Sequence, residues 1–242
     1  MRRIEEKAYD RLRRLRELTL WDGSAPVPID HVIEHTLGLT ISWEEVEEPA
    51  ERQVLACLRP ETREIVLNER YAPLFREKPA LLRFSKGHEA GHADVFALVA
   101  EADQLKLLGT SHYQPMRCTA TKGEAWAIGS RLRGLEPVLR AEVMYEIRRM
   151  ERERQAQGED SDLVRRSVDH YAATLLMPEE LVRSEMSGRD KTRWPDLYDA
   201  AERLGVSISA FTIRLTEMGL IKGVVENKIE LPGEDGDQLV LV

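Results

Sequence analysis

Between Pro79 and Ala102 the apolar residues Leu81, Leu82, Phe84, Val95, Phe96, Leu98 and Val99 recur in a helical pattern around the pentapeptide His88-Glu89-Ala90-Gly91-His92. In a helix, residues four apart lie one turn above each other, so His88 and His92 can direct their imidazoles at a single cation, with Glu89 projecting beside them. Zinc held by imidazoles lowers the pKa of its bound water to roughly 7, and an adjacent carboxylate can take that proton while the hydroxide attacks a polarised carbonyl. The small residues Ala90 and Gly91 keep the helix surface slim and permit close approach of whatever supplies a further ligand. Taken alone, the pentapeptide is also compatible with a packed or solvated histidine pair.

The surrounding sequence predicts an α+β domain that is mainly helical. Ile4, Ala8, Leu12, Leu15 and Leu18 place an amphipathic helix over residues 2–18. Asp30 is positioned to cap a short helix that ends near Gly38. Alternation over Leu39 to Trp43, the apolar run Val54 to Leu58 and the segment Glu64 to Asn68 read as strands, and their short connections predict a small antiparallel sheet. Residues 103–123 read as a loop and Glu124 to Gln157 as a charged helical stretch. Leu163 to Met177 forms a further apolar helix that Pro178 ends while opening the next. Two short helices flank Gly205-Val206-Ser207, and the tail finishes in an alternating run from Gln238 to Val242.

Composition excludes several classes of function. No apolar run approaches the roughly 20 residues that cross a bilayer, and the charged opening Met-Arg-Arg-Ile-Glu-Glu-Lys lacks a secretion-signal pattern. Cys57 and Cys118 form no paired motif and suit a reducing compartment, so a cytoplasmic location is expected. A net charge of −8 gives no general attraction to phosphate backbones.

Several separated segments, in the same order, resemble the ImmA/IrrE family of metallopeptidases. Ile65-Val-Leu-Asn68, then Arg83-Phe-Ser-Lys-Gly-His-Glu-Ala-Gly-His92, then Tyr171-Ala-Ala-Thr-Leu-Leu-Met-Pro178 look like that family's strand, zinc helix and closing helix, and Leu204 to Ser207 with Ile213 to Ile221 resembles its C-terminal helical module. The resemblance spans roughly residues 25–222 and is broken by a long insertion at about 103–162. It implies a zincin-like domain over 1–190, a helix-turn-helix-like module over 191–225 and a tail over 226–242. It also implies Zn²⁺ as cofactor, His88 and His92 as ligands and Glu89 as general base. The implied partner is a protein substrate such as a helix-turn-helix repressor, in a stress or mobile-element response. The family's third ligand is usually a glutamate, at the position that holds Arg165 here, and arginine cannot bind a metal. Asp169, four residues on, is the candidate replacement, either as a direct third ligand, the favoured role, or by orienting a ligand histidine. His170, Glu124 and Glu142 are the lesser candidates. Arg165 also keeps open a second hypothesis, a regulatory binding module that retains the fold without cutting its partner.

Other signals compete. His31-Val-Ile-Glu34-His35 matches the inverted zinc pattern His-x-x-Glu-His but reads better as a polar helix face above Val32, Ile33 and Leu37. His112 and Tyr113 lie after the zinc helix, where they have only position to suggest an oxyanion role. Residues 201–214 have the helix, turn and helix pattern of a DNA reader. Between Asp196 and Met218, however, only Arg203 and Arg214 oppose Asp196, Asp199, Glu202 and Glu217, which favours packing or partner docking over phosphate contact.

Overall fold

The computed structural model describes residues 2–48, 53–104, 117–119, 162–225 and 228–231. Helix α1 (Arg2–Glu17) leads through α2 (Ile29–His31) and a π-helical turn (Val32–Leu37) into strands β1 (Thr40–Glu44), β2 (Val54–Arg59) and β3 (Glu64–Asn68). Helices α3 (Ala72–Glu77) and α4 (Pro79–Gln104) follow, then β4 (Arg117–Thr119), α5 (Asp162–Leu176), α6 (Glu179–Glu185), α7 (Trp194–Leu204), α8 (Ile208–Glu217) and the hairpin β5 (Gly223–Val225) and β6 (Lys228–Glu230). The fold is α+β and mainly helical, as expected.

The sheet corrects one expectation. Its order is β1-β3-β2-β4, with β2 antiparallel to both β3 and β4, but β1 runs parallel to β3 in the register Thr40↔Glu64 to Glu44↔Asn68. Short connections force antiparallel pairing only between strands that are neighbours in space. Here β2 carries the chain back, so β3 pairs with β1 in parallel without a crossover helix. Val54 to Leu58 are all buried, as are Ile65 to Asn68, whereas β1 is half-exposed at the edge. The unbroken apolar run of β2 thus marks a central strand covered on both faces.

Helix boundaries follow local chemistry. Gly38, at φ +64, closes the π-helical turn, and Gly205, at φ +67, closes α7. Both adopt the left-handed cap that glycine occupies without a Cβ penalty. The cap of α2 falls on Pro28 rather than Asp30; Asp30 instead accepts from Lys86 Nζ at 2.7 and 2.9 Å, tying α2 to α4. Ser207 caps α8 by accepting from Ala210 N at 3.2 Å.

One apolar cluster runs from Ala8 of α1 to Ile221 beyond α8. It takes in Leu12 and Leu15 of α1, Tyr171, Leu175 and Leu176 of α5, and Leu197, Leu204, Phe211 and Leu215 of α7 and α8. The two C-terminal helices therefore share the core that supports α4 and α5. Among the described residues no helix is long and apolar enough to cross a membrane. The charged stretch 124–157, His112, Tyr113, Glu124, Glu142 and the run 238–242 lie outside the described residues.

Candidate metal centre

The centre begins with two glycines. A Cβ on Gly87 would lie 3.3 Å from Ala172 Cβ, and one on Gly91 would lie 2.9 Å from Val168 Cγ1 and 3.1 Å from the Val168 carbonyl oxygen. Helix α5 thus packs almost backbone to backbone against α4, along a seam that any larger residue would wedge open. The slim motif surface read from Ala90 and Gly91 serves this contact.

That approach brings the polar residues of the two helices together. His88 Nε2 and His92 Nε2 are 3.1 Å apart, and the ligand atoms of His88, Glu89 and His92 all lie within 4.8 Å of one another. Among the described residues this is the one group of three such side chains that could hold a metal ion. Two imidazole nitrogens on a tetrahedral zinc at 2.0–2.1 Å stand roughly 3.3 Å apart, so the observed spacing fits that cation. Glu89 and His92 are fully buried and His88 nearly so. Burial, and then the neighbouring His88, push the pKa of His92 well below its usual value, which favours the neutral ring that a cation requires.

Asp169 meets His88 from behind. Its Oδ1 lies 2.6 Å from His88 Nδ1, the ring nitrogen opposite the one that faces His92. Donation from Nδ1–H to this carboxylate fixes the tautomer and leaves a lone pair on Nε2 aimed toward His92. Of the two roles considered for Asp169, this geometry matches orientation of a ligand histidine; the carboxylate does not stand beside the paired Nε2 atoms. Arg165 sits half-buried one turn earlier on α5. His170 points elsewhere, with Nε2 2.8 Å from Glu5 Oε1 and Nδ1 3.8 Å from Glu217 Oε1. It is not placed as a substitute ligand.

The inverted motif lies on the surface. His31, Glu34 and His35 are exposed, with the two rings 5.6 Å apart edge to face. They form a polar helix face above buried Val32 and Ile33.

One residue of the site region gave no signal that sequence reasoning used. Asp94, two positions after His92, is buried and accepts from Tyr171 Oη at 2.7 Å and from Arg11 Nε and Nη2 at 3.0 and 2.5 Å. Tyr171 is fully buried, and its hydroxyl is a donor. Burial, and then the Asp94 charge, raise its pKa well above the usual phenol value and keep that proton in place. A legible hint was present, because Asp94 is seven residues after Gly87, on the stripe that faces α5.

No protein-family model matches this chain, and no curated protein matches it. The ImmA/IrrE resemblance therefore rests on the motifs themselves.

Proposed function

We propose that the chain is a zinc-dependent metallo-endopeptidase. The observation that carries this reading is the arrangement of His88 and His92 Nε2 at 3.1 Å with Glu89 in the same buried group. His88 and His92 would hold the zinc, Asp169 would fix His88 in its ligating tautomer, and Glu89 would be the general base. When bound, zinc supplies an acidified water and polarises the scissile carbonyl. Glu89 would take the proton from that water and later deliver it to the departing amine; its complete burial would keep the transferred proton from exchanging with bulk solvent. The motif resemblance adds a protein substrate, with a helix-turn-helix repressor as the candidate class, and a cytoplasmic setting.

Arg165 favours a second reading, a regulatory module that binds its partner without cutting it. The usual third-ligand position holds a cation here, and catalytic zinc normally has at least three protein ligands.

Elemental analysis of the purified chain, after dialysis against trace zinc, tests the first reading. About one zinc per chain, lost in His92→Ala, is expected; zinc content indifferent to His92 would refute it. Glu89→Gln should keep zinc and folding but abolish cleavage of a cognate protein, whereas the binding module would bind its partner equally well with either residue.

A further inference from the structure

The seam between α4 and α5 is built from Gly87 and Gly91 on one side and Val168, Ala172 and Leu176 on the other. Small apolar surfaces of this kind let two helices approach closely, but apolar contact carries no direction and does not by itself fix which polar side chains meet across the seam. Two polar rungs cross the seam. The first joins His88 to Asp169, and the second joins Asp94 to Tyr171.

The second rung is costly as a stabilising device. Asp94 is 1% exposed, and removing a carboxylate from water offsets much of what its partners return. An apolar pair of similar volume would hold the helices together about as well. The rung supplies geometry instead. The Asp94 carboxylate is clamped on two sides, by the Tyr171 hydroxyl from α5 and by the Arg11 guanidinium from α1, and Arg11 Nη1 also donates to the Thr36 carbonyl at 2.6 Å. Two elements thus converge on one acceptor of α4, so α4 can neither slide nor rotate against α5 without breaking directed bonds. Tyr171 lies two positions after Asp169 on the same helix, which makes the second rung a constraint on the first.

We infer that Asp94 and Tyr171 are positioning residues for the metal centre, holding α4 and α5 in the register that places the Asp169 carboxylate on His88 Nδ1. Arg11 anchors this rung from the N-terminal helix. The consequence for metal affinity rests on the proposed ligand role of His88 and His92, whereas the consequence for the His88 hydrogen bond does not.

The test uses the full chain with ¹⁵N-labelled histidine and the nearly isosteric Tyr171→Phe variant. In the metal-free protein the His88 Nδ1–H resonance reports the bond to Asp169 directly. Phe211→Leu, a core change on α8 away from the seam, serves as the control for lost stability, with both variants compared by melting temperature. The expected result is a shifted or broadened His88 resonance in Tyr171→Phe alone. It is joined by a several-fold loss of zinc affinity in chelator competition, smaller than the roughly 10–100-fold typical of residues that touch a ligand histidine. An unchanged His88 resonance in Tyr171→Phe, or an equal change in Phe211→Leu, would overturn the inference. If the unaltered chain bound no zinc while the resonance still responded to Tyr171→Phe, the positioning role would stand and the metal reading would fall.

Discussion

Gly91 and Val168 stand so close that a single methyl group cannot enter between them: a Cβ on Gly91 would lie 2.9 Å from the valine side chain and 3.1 Å from its carbonyl oxygen. Alanine is ordinarily the better helix former by about 1 kcal/mol. Here that gain is outweighed, because part of the clash is with backbone, and overpacking of this kind costs about 1–3 kcal/mol. Gly91→Ala is expected to lower the melting temperature and to weaken metal binding in step. A stabilised Gly91→Ala chain in thermal denaturation would contradict the close packing of α4 on α5.

Replacing Asp169 separates its two candidate roles. If the carboxylate orients His88 from the Nδ1 side, Asp169→Ala should reduce zinc affinity by about 10–100-fold while a one-to-one complex survives at higher zinc. Loss of binding as complete as that in His92→Ala would mean direct ligation instead. Chelator competition over a range of zinc concentrations distinguishes the two.

The exposed pair His31 and His35 supplies a contrasting expectation. With both replaced by alanine, zinc content per chain should remain that of the unaltered protein, since the pair forms a polar surface rather than a centre. Elemental analysis showing zinc lost with the pair would move the site to the inverted motif.

His170 makes stability depend on pH. Burial alone would lower its pKa, but the carboxylates of Glu217 and Glu5 outweigh burial and raise it above 6.5. The folded chain therefore holds this proton more tightly than the unfolded one. That contribution is fully present below about pH 6.5 and is lost as pH rises through the raised value. Glu5 acts at the other end: its hydrogen bond with His170 lowers its pKa below 4.5, so its contribution holds above that pH and fades as pH falls through the lowered value. Urea titrations from pH 5.5 to 9 should show stability declining toward alkaline pH in the unaltered chain, and a much flatter profile in His170→Gln.

The features legible in sequence were those encoded within one segment. The helical period around His88, the apolar run of β2, the glycine caps at Gly38 and Gly205, and the break at Pro178 all follow from local conformational preference. The parallel partner of β1 was not legible, because alternation describes the faces of a strand and says nothing of its neighbour. Strands β5 and β6, at three residues each, are too short to display a period. Asp94 was overlooked because its meaning lies in Arg11, 83 positions earlier, and in Tyr171, 77 positions later. His88 and His92 were found because a helix places both on one face, while the orienting geometry of Asp169 required knowing which side of the ring α5 would approach.

The 81 positions that separate His88 from Asp169 also order events in time. On the ribosome, where synthesis proceeds at roughly 5–20 residues per second, the histidine helix emerges several seconds before its closing partner exists. During that interval the glycine seam has nothing to pack against, and the His88 ring has no carboxylate to choose its tautomer. A nascent chain thus carries the pentapeptide but not the centre. A cation held by His88 and His92 would gain its orienting carboxylate only once α5 has docked on α4, so the two halves of the arrangement mature in sequence.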